Sequence, residues 1–193
     1  MGLLYTDRLF PENKKALGIS KELYQNIVDL PIISPHGHCD PSWFSKNQRF
    51  PNPAQLFIVP DHYVFRMLVS QGLTLNELGV KTLDESGFEK DPRKIWKKFS
   101  ENYYLFRGTP TAMWLDYSFE KVFGINELLT PATSDFYYNQ VEEKLSHPEF
   151  LPRALFEKFN IEVLSTTDSA VSELVHHTEL IKSTWDGRII PTY

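Results

Sequence analysis

Apolar positions along this chain follow two rhythms. Between Asp91 and Phe159 they recur every three or four residues: Ile95, Phe99, Tyr103 and Phe106, then Leu115, Phe119, Val122 and Phe123, then Tyr138, Val141 and Leu145, then Leu155 and Phe159. That spacing puts each set on one helical face and predicts an almost wholly helical block. Asp91-Pro92 is a cap followed by a first-turn proline, Gly124 ends the second helix, and Thr133 or Ser134 caps the third. The aromatic stripes read as core, not as a cofactor site. Elsewhere the apolar runs are short. Ile32-Ile33, Ile161–Leu164 and Arg188–Pro191 read as strands. Around them, Ser20 is the expected cap of a helix over 21–29, with Leu23, Ile27 and Leu30 as its stripe and Pro31 as its breaker. Pro41, Pro51 and Pro53 make 40–53 a loop. Asp61 caps a helix over 62–70, Thr74–Leu78 is one more turn, and Asp168 or Ser169 caps a helix over 170–181.

The order is therefore strand, helical block, strand, helix, strand. It predicts a parallel α/β sheet with a large helical insertion after its first strand. Three segments follow: 1–39 with a helix and the first strand, 40–160 with the loop and the insertion, and 161–193 with two strands and the helix between them. Three strands close no barrel, so the chain reads as a small open domain or as the front of something longer.

Composition narrows the partners. The chain has 193 residues with 41% hydrophobic and 23% charged residues, as a soluble globular protein does. A net charge of −5 gives no general basic field for nucleic acid, and an anionic small substrate needs local Arg or Lys. No apolar run is long enough for a membrane span. The N-terminal residues, interrupted by Asp7, Arg8 and Glu12, do not read as a signal peptide. The single cysteine, Cys39, excludes an internal disulfide and fits a reducing, cytoplasmic compartment. It follows His38, faces the other way on an extended chain, and reads as packing against a helix.

The chemistry concentrates at His36-Gly37-His38. Residues two apart on an extended backbone point to one side, so both imidazoles can meet one divalent cation, and zinc suits that ligand type. The plain alternative is a pair of loop histidines behind a buried strand. His62 and Tyr63 open the helix capped by Asp61 and can both exchange protons. Arg66 lies on the His62 face and can bind a carboxylate through its planar fork, or simply pair with Asp61 or a loop acid. His176 and His177 sit inside a helix and read as structural.

Three stretches together resemble the uronate isomerases, metal-dependent barrels related to the amidohydrolases. They are Leu30-Pro31-Ile32-Ile33-Ser34-Pro35-His36-Gly37-His38-Cys39-Asp40-Pro41, then Asp61-His62-Tyr63 with Arg66, then Ser165-Thr166-Thr167-Asp168 with Glu173, His176 and His177 behind it. The resemblance implies the N-terminal part of a (β/α)8 TIM-type barrel with the helical block inserted after its first strand. It implies aldose–ketose isomerisation of hexuronates, glucuronate to fructuronate and galacturonate to tagaturonate. It makes His36 and His38 ligands of a divalent metal, usually taken as zinc, places His62 and Tyr63 at active-site positions, and leaves room for a homo-oligomer. The family's Arg-Pro-Asp segment and its last-strand metal-binding aspartate have no counterpart up to Tyr193, so the chain is expected to lack a complete site alone. Asp40, Asp61, His62 and Asp168 remain open as further ligands. A metal-dependent hydrolase with the same strand-one ligands, and a helical interaction module whose histidines bind nothing, are the competing readings.

Overall fold

The computed structural model describes residues 3–81 and 87–192. Its α-helices are α1 Lys14–Gln25, α2 Pro41–Lys46, α3 Pro53–Phe57, α4 His62–Val69, α5 Pro92–Glu101, α6 Pro110–Tyr117, α7 Ser134–Leu145, α8 Pro152–Lys158 and α9 Val175–Lys182. Its strands are β1 Ile32–Ser34, β2 Ile161–Thr167 and β3 Arg188–Thr192. The chain forms two units, one from 50–146 with 3–8, the other from 9–49 and 147–192.

The first unit is helical. A repeated local device starts α3, α5 and α6: a polar cap followed by proline at the first helical position. Asn52 Oδ1 accepts from Gln55 N before Pro53, Asp91 Oδ1 accepts from Arg93 N before Pro92, and Thr109 Oγ1 accepts from Ala112 N before Pro110. The side-chain oxygen of Asn, Asp or Thr satisfies an orphan N–H, and proline needs none. The first three expected stripes supply the core, whereas in the fourth Phe159 is exposed and Phe156 is the buried ring of its helix. Trp96, Phe99, Phe106, Phe119, Tyr137 and Tyr138 are buried together, with Trp96 Nε1 donating to the Ser134 carbonyl at 3.0 Å. That bond satisfies the one polar atom the largest side chain brings inside. After α6 the chain continues as a π-helical stretch, Ser118–Val122, and stops at Gly124 with φ +73°.

The second unit holds a three-stranded parallel sheet in the order β1-β2-β3. Ile33 pairs with Val163 and Ser34 with Leu164, while Thr166 pairs with Pro191 and Thr167 with Thr192. The parallel α/β sheet expected from the order of elements is present, with the helical unit lying in sequence between β1 and β2. Phe44, Phe156, Leu164, Leu180 and Ile189 form the core against helices α2, α8 and α9. Trp185 stacks on Phe44 at 6.0 Å, and the Arg153 guanidinium lies 5.0 Å from the Trp185 ring. Arg153 also donates from Nε to the Phe44 carbonyl at 2.8 Å, tying α8 to the end of α2.

Several boundaries differ from the sequence expectation. The first helix begins at Lys14, capped by the Asn13 side chain rather than by Ser20. It buries no residue, and Leu23, Ile27 and Leu30 are exposed. The proline-rich loop contains α2, because Asp40 Oδ1 accepts from Ser42 N and Pro41 opens the turn. Strand β1 is exposed at Ile32 and Ile33, not buried. Helix α9 starts at Val175, after Leu174 with φ +50°, so neither Asp168 nor Ser169 caps it. Thr133 occupies the cap position of α7 without a side-chain cap bond. Among the described residues no helix is long and apolar enough to cross a membrane.

Candidate metal centre

Strand β1 ends at Ser34, and the chain runs on without ladder bonds through Pro35 to Asp40. His36 and His38 are both exposed there, and their rings converge. Nε2 of His36 lies 3.0 Å from Nε2 of His38, with ring centroids 4.9 Å apart and planes crossed at 76°. Both nitrogens carry their lone pair or proton in the ring plane, so the two rings present nitrogen to the same small volume. The donor set suits a borderline divalent cation. Two bonds of about 2.0–2.1 Å to one ion would span that separation at an angle of roughly 90°. Among the described residues no group of three His, Cys, Asp or Glu side chains converges. The pair therefore fits a zinc-type ion as two of the three or four protein ligands such sites use.

The tripeptide is braced from β2. Thr167 Oγ1 donates to the Gly37 carbonyl at 3.0 Å, and a Cβ at position 37 would meet the Ser165 carbonyl at 2.7 Å. Only glycine permits that approach with the backbone where it is. Ser34 Oγ donates to the His36 carbonyl at 3.2 Å. Cys39 turns away from the ring nitrogens and packs on the sheet core, and burial pushes its thiol up.

The acids raised as further ligands are engaged locally. Asp40 caps α2 and Asp61 caps α4, accepting from Tyr63 N at 2.8 Å. Asp168 accepts from Thr166 Oγ1 at 2.7 Å and lies 3.7 Å from His177 Nε2. His177 is buried in that network, whereas His176 Nδ1 lies 2.9 Å from Ser45 Oγ and 3.0 Å from Glu179 Oε2.

His62, Tyr63 and Arg66 belong to the helical unit. Neighbouring helical residues point about 100° apart, yet at this first turn the two rings lie side by side, centroids 4.2 Å apart. Tyr63 also meets Trp114 edge-on at 5.9 Å and is 52% exposed. Arg66 is exposed, and among the described residues no carboxylate pairs with it, Asp61 being turned to the helix N–H groups. Thr166, Thr167 and Gly37 are the residues that sequence reasoning did not single out as supports. Their only signal was the hydroxyl-rich end of the second strand.

The glucuronate isomerase family model matches residues 8–193. The chain belongs to the glucuronate isomerase family. A uronate isomerase of Rhizobium meliloti is 53% identical over 192 residues, covering 100% of this chain and 41% of that protein. One from Mesorhizobium japonicum is 50% identical, covering 97% of this chain and 40% of its own length. Among solved structures, glucuronate isomerase from Caulobacter crescentus is similar with a TM-score of 0.94 at 43% identity, over 100% of this chain and 40% of that one. Uronate isomerase from Thermotoga maritima follows at 0.82 and 25%, over 98% of this chain and 39% of that one. This member of the glucuronate isomerase family thus spans about two fifths of the length of the relatives it matches.

Proposed function

We propose that this chain is part of a metal-dependent uronate isomerase that interconverts glucuronate with fructuronate and galacturonate with tagaturonate. One observation carries the reading: the two ring nitrogens of His36 and His38 meet at 3.0 Å in a chain matched over its whole span by uronate isomerases. In this reading the parallel sheet is the opening arc of a (β/α)8 barrel, and the helical unit is an insertion after its first strand. Because the relatives are longer, the activity is assigned to a polypeptide of their length.

The isomerisation moves a proton between neighbouring carbons beside a carbonyl, and negative charge grows on oxygen. A bound divalent cation, zinc by ligand type, supplies electrostatic stabilisation for that charge. His36 and His38 would hold it through their converging ring nitrogens. His62 and Tyr63 exchange the proton, since both carry groups that can give and take one. Arg66 offers its planar fork to the uronate carboxylate, which a chain of net charge −5 must attract locally. The ligand is a small hexuronate, not a nucleic acid, and the compartment is cytoplasmic.

The test is a coupled assay of fructuronate formation from glucuronate by the protein expressed from its complete gene, with zinc supplied. Turnover is expected, falling by on the order of a hundredfold or more in His36→Ala and His38→Ala. No ketose from either uronate refutes the activity.

A further inference from the structure

The histidine pair sits beyond the last ladder bond of β1, so strand pairing does not explain how two exposed rings keep a 3.0 Å approach. The support comes from a residue far away in sequence. Side chains alternate along β2, which puts Ser165 and Thr167 on one face and Thr166 and Asp168 on the other. On the first face Thr167 Oγ1 grips the Gly37 carbonyl, and the backbone carbonyl of Ser165 lies 2.7 Å from where a Cβ of residue 37 would be. The peptide between the two imidazoles is thereby held at its centre.

Thr167 is itself fixed. Its backbone pairs with Thr192, and Asp168 N donates to the Thr192 carbonyl at 3.0 Å. On the opposite face the Thr166 hydroxyl donates to Asp168 and lies 2.8 Å from His177 Nε2. The threonine has one proton to give, so His177 donates from Nε2. The relay His177 to Thr166 to Asp168 locks the strand end against α9.

We propose that Thr167 is a positioning residue for His36 and His38, holding the two ring nitrogens, through the Gly37 carbonyl, at the spacing that a shared divalent cation requires. The proposal rests on reading the pair as metal ligands. Thr167 touches neither cation nor substrate and acts only through the tripeptide.

Thr167→Val removes the hydroxyl at nearly constant shape, and Thr167→Ser keeps the hydroxyl while trimming a methyl. Zinc chloride is titrated into the purified full-length protein against a chelating dye, and the backbone amides of residues 36–38 are followed by 15N NMR without metal. Wild type is expected to take up zinc in a manner lost in His36→Ala and His38→Ala. Thr167→Val is expected to weaken uptake by on the order of tenfold, the scale of outer-shell effects on metal affinity, while Thr167→Ser stays close to wild type. Without metal, the backbone amide signals of residues 36–38 are expected to coincide in wild type and Thr167→Ser and to move in Thr167→Val. Should Thr167→Val not fold, Thr167→Ser decides: zinc binding weaker than wild type by that same factor overturns the proposal, and retained binding with unmoved amide signals supports it. Wild-type affinity in a folded Thr167→Val, with the histidine variants inactive in binding, overturns the positioning role alone. Zinc uptake that is absent in wild type, or indifferent to both histidine variants, overturns the ligand reading and this proposal with it.

Discussion

A single carboxylate decides how α4 begins. Asp61 Oδ1 accepts from Tyr63 N and Val64 N, and these bonds set the turn on which His62 and Tyr63 stack. Asp61→Ala is expected to cost about 1 kcal/mol, as loss of such a cap usually does. Thermal unfolding would show it as a fall of a few degrees, and Asp61→Asn should recover most of it. An alanine variant as stable as wild type would mean that the turn is held from elsewhere. At this scale the sequence was readable wherever partners are close along the chain. The Asp61 and Asp91 caps need only the next turn, and the convergence of His36 with His38 needs only a two-residue period. Asp168 misled because a cap and a strand-end carboxylate look alike in sequence. Its partner, Thr166, was two residues back, while the helix it was expected to cap begins only at Val175. Thr167 was illegible for a plainer reason: the carbonyl it holds belongs to Gly37, 130 residues earlier.

Helix α6 carries a half-buried acid whose environment makes stability depend on pH. Burial pushes the Asp116 carboxyl above its ordinary 3.8, the Tyr103 hydroxyl donating at 2.7 Å opposes this, and Glu120 adds to the rise. The folded state therefore keeps this proton to higher pH than the unfolded chain does. Its contribution is fully present below the unfolded pKa and is lost as pH rises through the folded one. Glu77 works the other way in a lower window. Its bond to Lys98 at 2.9 Å, with further bonds from Thr74, lowers it from 4.5 to about 2, so its contribution is present above 4.5 and lost as pH falls toward 2. Urea midpoints measured between about pH 5 and neutral follow the first effect above the window in which Glu77 acts, since the Asp116 carboxyl is raised from 3.8. Asp116→Asn keeps an acceptor for Tyr103 and removes the desolvated charge. It is expected to flatten part of the decline and to match or exceed wild type at neutral pH. An unchanged slope would show that Asp116 is not the group responsible. The helical block around it was legible because its stripes repeat at helical spacing and its caps precede prolines. Helix α2 was missed because Pro41, read as a breaker, opens a helix when Asp40 caps it.

For the molecule as a whole, the sheet-bearing unit leaves a good deal of apolar surface in water. In α1, the segment leading into β1 and β1 itself, Leu23 is 65% exposed, Ile27 56%, Leu30 59% and Ile33 64%. Among the described residues strand β1 pairs only with β2, so its other edge carries backbone groups outside the ladder. Each such side chain regains on the order of 1 kcal/mol when the exposed part is covered, given about 1.5–3 for complete burial. Four of them roughly offset the low end of the ~4–15 kcal/mol lost in bringing two molecules together. The balance favours weak association over a tight dimer. The 193-residue chain is therefore expected to sediment as a concentration-dependent mixture. Ile33→Lys with Leu23→Glu should shift it to monomer, because the pair removes about half of that gain and adds charge beside an open strand edge. Leu23→Ala alone should shift it less, since it takes away one contact and adds no repulsion. If instead the wild-type chain stays monomeric at every accessible concentration, those side chains must be too scattered to be covered together, and exposure counted residue by residue overstates the stickiness of this face.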